Sequence, residues 1–415
     1  MLMVVLLAVL AYASHRTGST WSQTLRSVFL PSGDGPTDSQ KVDPTVASDA
    51  APTNFLRAVT IGDPFEKPPR ISNVLAVDLD QDGLLDVVVC DARANRVTWI
   101  RQHSAGTFQE HILAAGLVAP CHTHASDFDG DGDLDLLVAV LGNMMPSNEK
   151  VGSVVILENQ GDMKFEKRVI SKNLPRVADV RAGDIDGDGD LDLVATAFGQ
   201  LEGKTWWMEN LGEWNFKSHT LQTLSEGIHS ELADIDDDGD LDIVLLVSQE
   251  WEEIYLFRND GRGTFTPSVI YGSSNDDFGS SGIHLCDFDR DGDVDVVYTN
   301  GDCFDYVPPR TRTWHGVQWL ENQGNGVFEF HRIIDFRAAF RALQSDVDRD
   351  GDLDLFVANG FSSTPNSDTQ SLIWLENDGQ MRFRRHDLAD SPGNLITMDL
   401  GDFDGDGVTD LVTHG

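Results

Sequence analysis

The sequence predicts an all-β fold, a seven-bladed β-propeller closed by an N-terminal strand. Three observations carry that prediction. The nonapeptide Asp-x-Asp-x-Asp-Gly-x-x-Asp recurs seven times, its copies start 49 to 59 residues apart, and each copy is flanked by short β-rich runs. The starts are Asp78, Asp127, Asp184, Asp234, Asp287, Asp346 and Asp402. Four short strands per repeat, in tandem and without helical periodicity, form the pattern of a propeller blade. Closing such an array into a ring hides the sheet edges that a linear array would expose.

Taken in order, the chain begins with an apolar run over residues 1–10 followed by Ala11-Tyr12-Ala13, so 1–16 is expected to be a signal peptide or an N-terminal membrane anchor. Residues 17–53, rich in Ser, Thr, Pro and Asp, are expected to form a disordered linker. The propeller is expected over 54–415. Within each repeat a short alternating stretch (73–77, 229–233) gives strand A, then comes the nonapeptide, then an aliphatic strand B such as Val87-Val88-Val89 or Leu193-Val194-Ala195. Strand C is apolar-aromatic and closes on Glu-Asn, as in Trp207-Met208-Glu209-Asn210, Trp319-Leu320-Glu321-Asn322 and Trp374-Leu375-Glu376-Asn377. Strand D starts at a Phe, as at Phe108, Phe165 and Phe328. Residues 55–61 look like one more strand D and are expected to complete the last blade as a clasp. The seventh repeat has strands A (395–400) and B (411–413) with no Trp-x-Glu-Asn strand after them, so that blade is short of a strand or the sequence is C-terminally truncated.

Charge narrows the function classes. The chain has 69 acidic and 30 basic residues, a formal charge of −39, and no Lys/Arg-rich run. Such a chain gains little from neutralising phosphate, which excludes nucleic acid and anionic membrane surfaces as partners. Nine Trp and 21 Phe supply a core, so wholesale disorder is excluded as well. About half the acid, 34 residues, lies inside the seven nonapeptides.

That chemistry suits a hard cation. Carboxylates at positions 1, 3, 5 and 9 with a backbone carbonyl at 7 form an oxygen cage, and Gly at 6 permits the sharp turn. With no His or Cys in the set, Ca²⁺ is expected over transition metals, up to seven ions in all. The ligands are Asp78, Asp80, Asp82 and Asp86 in the first loop, Asp127, Asp129, Asp131 and Asp135 in the second, and Asp184, Asp186, Asp188 and Asp192 in the third. Asp234, Asp236, Asp238 and Asp242 follow in the fourth, and Asp287, Asp289, Asp291 and Asp295 in the fifth. Asp346, Asp348, Asp350 and Asp354 make the sixth, and Asp402, Asp404, Asp406 and Asp410 the seventh. The alternative, plain Asp-Gly turns without metal, leaves the mutual repulsion of these carboxylates uncompensated.

These loops, each followed by a Leu-Val-Val-like strand, resemble the FG-GAP and VCBS repeats of integrin α-like β-propellers, over residues 54–415. The resemblance implies a Ca²⁺-binding propeller. It implies either a protein- or glycan-binding adhesion module or, in the alternative, a carbohydrate-active enzyme of lyase or dehydratase type. The chain has no Arg-Gly-Asp and no Gly-Ala-Pro element.

Two regions are candidate sites. Residues five and three before each loop share one side of strand A, which is the innermost strand, so they should converge on the central channel. His122 and His124, with His229, Glu231 and His284 from other blades and Asp179, are candidates for a second metal or for acid–base work; the other reading is a polar channel whose side chains pair with one another. On the rim opposite the acidic loops, the long B–C insertion 300–316 carries Tyr306, Arg310, Arg312 and Trp314, a candidate ligand-binding surface, against the reading of a self-packed loop. The Trp residues of strand C are expected to be core. Cys90, Cys121, Cys286 and Cys303 allow three pairings and are expected to be mostly free thiols. The predicted location is secreted, periplasmic or cell-surface, with an N-terminal membrane tether as one form of attachment, where Ca²⁺ at ~1 mM suits such loops.

Overall fold

Strand B of each repeat is an unbroken β-branched or aliphatic run, and such a run is stable only when covered on both faces. In the computed structural model, which describes residues 48–50, 59–63, 68–145, 147–199, 201–303, 309–362 and 370–414, it is covered: Asp135–Val140 and Asp242–Val247 are buried along their whole length. Strand D, by contrast, is only partly covered, and Phe165–Leu174 mixes half-buried and exposed residues with none fully buried. Those two patterns give the radial order of a blade.

The first blade is typical: Ile71–Val77, Asp86–Asp91, Arg96–Ser104 and Thr107–Ala115 pair antiparallel as A, B, C and D. Blades 2 to 6 repeat this over residues 120–174, 176–222, 227–272, 282–335 and 339–389. Their inner strands are Pro120–Ser126, Arg176–Gly183, Gly227–Ala233, Gly282–Cys286 and Ala339–Ser345. Apolar faces of neighbouring blades interleave: Val88, Val97 and Trp99 of blade 1 pack with Leu136, Val138 and Val155 of blade 2. Trp207, Trp319 and Trp374 are buried in these interfaces, as the sequence predicts. Each fully buried large side chain of this kind contributes about 1.5–3 kcal/mol.

One expectation about closure needs correction. Among the described residues six blades are complete, not seven. Among the described residues the seventh repeat is a two-stranded hairpin, Met398–Gly401 with Asp410–Thr413. Of the 55–61 stretch expected to be the clasp, 55–58 lie outside the described residues and 59–61 are not in a strand. Ser48–Ala50, within the stretch read as linker, pairs in parallel with Phe383–Ala389 at the outer edge of blade 6. Ile61 packs against the cluster shared by blade 1 and the hairpin, beside Ile71, Ile100 and Val412. The ring nonetheless closes through the hairpin, since a central cavity is lined by residues from all six blades and by Ile396 and Thr397. The expected signal segment, 1–16, lies outside the described residues.

Candidate functional site: acidic loops and central channel

The seven acidic loops share one backbone. Position 6 is Gly with φ between 78° and 106° in every copy, and position 4 is also left-handed in every copy. At position 4 even Gln81, Asp237, Arg290 and Arg349 adopt φ of 56° to 64°, a conformation that disfavours side chains and is held by the surrounding bonds. The position-1 carboxylate supplies one such bond by accepting from the position-6 N–H, at 2.8 Å (Asp402) to 3.1 Å (Asp127). The position-5 carboxylate accepts from the position-7 N–H, as Asp188 does from Asp190 at 3.0 Å.

Position 9 has a role that the sequence reading did not assign. Asp86, Asp135, Asp192, Asp242, Asp295 and Asp354 are fully or almost fully buried. One oxygen of each accepts from the position-2 N–H, for example Ile185 to Asp192 at 3.2 Å. The other accepts from the main chain of strand C, at the Asn that closes Glu-Asn or at Gln102 in blade 1, at 2.7–2.8 Å. That Asn side chain donates back to the carbonyl of the residue preceding the position-9 Asp, as Asn210 does to Leu191 at 3.1 Å. Thus the Asn of Glu-Asn and the last Asp of the loop form one tie between the A–B loop and the C–D turn. Burial pushes Asp135, Asp242 and Asp354 up to about 6 and Asp192 and Asp295 to about 7, against the pull of those same bonds.

The carboxylates converge. Oxygens of Asp78, Asp80 and Asp86 lie within 4.8 Å of one another, as do those of Asp127, Asp129 and Asp131, and of Asp184, Asp186 and Asp192. In six loops one carboxylate oxygen is buried without a hydrogen-bond partner: Oδ1 of Asp80, Asp127, Asp186, Asp236, Asp287 and Asp346. A buried carboxylate oxygen without a donor costs free energy unless a cation faces it. The donor set therefore fits a hard divalent ion held by positions 1, 3, 5 and 9.

Strands C and D add a pattern that the sequence reading missed. Glu209 meets His219 at 2.7 Å, Glu321 meets His331 at 2.5 Å, and Glu376 pairs with His386. Each His stacks on the Trp of its own blade, with ring centroids 4.4–4.6 Å apart. The available signal was a His ten residues after the Glu in three repeats.

At the other end of strand A, His122, His229, Arg181 and Glu231 of the predicted channel region gather around Asp179 and pair with one another. Asp179 is completely buried; its carboxylate lies 2.8 Å from His122 Nδ1, 3.9 Å from His229 Nδ1 and 3.5 Å from Arg181 Nε. Arg181 also reaches Glu231 at 2.8 Å. Burial raises the Asp179 carboxyl, but the charges of His122 and Arg181 outweigh it and hold the group well below the usual carboxylate range. Burial lowers His124, His229 and His284 to about 3, so all three are neutral at physiological pH. His122 and His229 line the central cavity of about 50 Å³ with Asn73, Arg341 and Thr397; His124 and His284 do not.

Several of these polar side chains stitch blades together. Strand A has strand B on one side only, so its inner edge presents N–H groups that need acceptors. Asn73 accepts from the Thr123 N–H at 3.1 Å, Asp179 from Ser230 at 2.8 Å, and Thr397 from Val74 at 3.1 Å. Asp399 likewise accepts from Ala76 at 2.8 Å, which joins the hairpin to blade 1.

On the opposite rim, the described part of the 300–316 insertion is held down. Arg312 lies 2.5 Å from Asp277, and Trp314 Nε1 donates to the Asp277 carbonyl at 2.9 Å. The Arg310 carbonyl accepts from Arg312. Tyr306 lies outside the described residues. All four cysteines are free thiols.

A family model described as an FG-GAP-like repeat matches residues 78–138, 127–195, 234–298 and 346–413, together more than half of the chain. Among curated proteins, the chain is 27% identical over 173 residues to cartilage acidic protein 1 of Mus musculus and 28% identical over 183 residues to that of Xenopus tropicalis. Each match covers 39% of this chain and 25% of the relative, so the chain spans about a quarter of the length of these relatives. Among solved structures, BBS1N in complex with ARL6DN, soaked with mercury, aligns with a TM-score of 0.49 at 14% identity, covering 83% of this chain and 90% of that one.

Proposed function

The chain belongs to the FG-GAP-like repeat family, and on that premise we propose that it is an extracytoplasmic, Ca²⁺-stabilised propeller that binds a protein or glycan through the rim opposite the acidic loops. The observation that carries the calcium part is the buried, unpartnered carboxylate oxygen present in six loops. The residues that hold the ion are the Asp side chains at positions 1, 3, 5 and 9, and bound Ca²⁺ supplies charge neutralisation to loops whose carboxylates otherwise repel. The internal pairing of Asp179, His122, Arg181 and Glu231 supports a binding module over a catalytic channel. With the acidic rim committed to metal, the partner is met by the other rim, which carries the 300–316 insertion. Segment 1–16 acts as the export signal or membrane anchor.

Calorimetric titration of the metal-free protein with Ca²⁺, alongside melting in calcium and in EDTA, tests the reading. At ~1 mM Ca²⁺ and a dissociation constant of ~0.1 mM each occupied site stabilises by about 1.4 kcal/mol, so chelation is expected to lower the melting temperature. No heat of binding and an unmoved melting temperature would sink the calcium proposal. A glycan and protein array probed with and without Ca²⁺ tests the binding proposal, and the absence of any captured ligand in both conditions would count against it.

A further inference from the structure

The residue that immediately precedes the strand C Asn (or Gln102) faces the acidic loop of its own blade, and its charge is not constant. It is Glu158, Glu209, Glu321 and Glu376 in blades 2, 3, 5 and 6, but Arg101 and Arg258 in blades 1 and 4. Arg101 Nη2 lies 2.5 Å from Asp80 and 3.2 Å from Asp82, the position-3 and position-5 carboxylates of loop 1. Arg258 Nε lies 3.6 Å from Asp236, the position-3 carboxylate of loop 4. Both guanidinium groups are held in place rather than dangling: Arg101 sits over Trp99, and Arg258 donates to the Gly326 carbonyl at 2.8 Å.

In the Glu blades the sign is reversed. Each Glu is turned toward a base on strand D, namely Arg168, His219, His331 or His386. The loops are alike in backbone; position 4 also varies in charge, from Asp237 to Arg290 and Arg349, but the strand C residues Arg101 and Arg258 are the ones ion-paired to a position-3 carboxylate of their own loop.

We infer that Arg101 and Arg258 act as built-in cations, so that loops 1 and 4 hold Ca²⁺ weakly and stay folded without it, while loops 2, 3, 5 and 6 bind it tightly. The inference rests on the calcium reading above. Even at the dielectric constant of water, a guanidinium ~6 Å from a divalent ion weakens binding roughly tenfold relative to a neutral side chain, and more in a half-buried setting. The two classes are thus written into one position of strand C.

Counting tightly bound Ca²⁺ by equilibrium dialysis on the full chain and on the Arg101→Gln/Arg258→Gln double variant is the test. The expected result is two additional tight ions in the variant, each with affinity raised about tenfold or more. An equal count and unchanged affinities in the two proteins would overturn the inference while leaving the calcium reading intact; no tight ion in either would remove that reading and the inference with it. Glu321→Arg, which installs the guanidinium on blade 5, carries the converse expectation of one tight ion fewer, read on a protein whose far-ultraviolet circular dichroism matches wild type. Retention of that ion would also overturn the inference.

Discussion

The two ends of strand A are built on opposite logic. At one end the loop repeats the same carboxylates, the same left-handed glycine and the same ties to strand C in blade after blade. At the other end nothing repeats: the residues five positions before the loops are Asn73, His122, Asp179, His229, Gly282, Arg341 and Thr397. Yet several of them do one shared job, accepting from the next blade's strand A. A repeated sequence marks a task that each blade performs within itself. A varied sequence marks residues that must fit one another around a ring, where each position has a different neighbour.

Substitutions should separate these two cases. The largest effect is expected in the channel, at Asp179→Ala. Removing this carboxylate leaves His122 without its acidic partner in a buried setting, takes from Arg181 one of its two acidic partners and leaves the Ser230 N–H without its acceptor. Breaking a buried charge pair in this way costs about 3–5 kcal/mol. Thr397→Val, at the equivalent position of the hairpin, removes only one neutral acceptor and should cost about 1 kcal/mol. Urea unfolding of the two variants measures the contrast, and equal losses would mean that the channel positions are as interchangeable as the loops.

The next effect concerns the loops. Asp192→Ala deletes an acceptor for both the Ile185 and Asn210 N–H groups and should cost about 2–3 kcal/mol in EDTA, where metal plays no part. Asp135→Ala and Asp242→Ala remove the same two bonds in their own blades, so their costs should agree with that of Asp192→Ala to within about 0.5 kcal/mol. A spread wider than about 1 kcal/mol would show that the blades are not equivalent in their ties.

What could be read from the sequence follows the same division. Strands A to D, the buried Trp of strand C and the acidic loops were legible because period and residue type are local properties. The convergence of His122, His229 and Asp179 was legible too, because alternation along strand A fixes which side chains face the channel. Their pairing was not: whether Asp179 meets His122, Arg181 or His229 depends on distances across blades that no repeat encodes. The structural duty of position 9 was hidden for another reason, since an Asp in a metal motif reads as a ligand whether or not its oxygens already accept from Ile185 and Asn210. The parallel pairing of Ser48–Ala50 with blade 6 was not legible, because nothing in a three-residue stretch sets it apart from the linker around it.

The smallest expected effect is a pH dependence specific to the channel. His229 faces Asp179, His122, Arg181 and Arg341; burial lowers it to about 3, with Arg341, His122 and Arg181 adding to the shift and Asp179 opposing it. Its unfolded value is near 6.5. Below that pH the unfolded chain takes up a proton that the folded protein refuses, so the stability tied to the neutral imidazole is complete above about 6.5 and is lost as pH falls toward about 3. His229→Gln removes the titration while keeping a polar side chain on the cavity. The unfolding free energy of wild type relative to this variant should therefore fall by about 1 kcal/mol per pH unit between roughly pH 6 and 4. Protonation of the loop carboxylates and release of metal occur in both proteins and cancel in the difference, which isolates the channel from the acidic rim. A difference that stays flat across that range would mean that His229 takes up its proton in the folded ring, and that the channel is open to water rather than sealed by its own pairs.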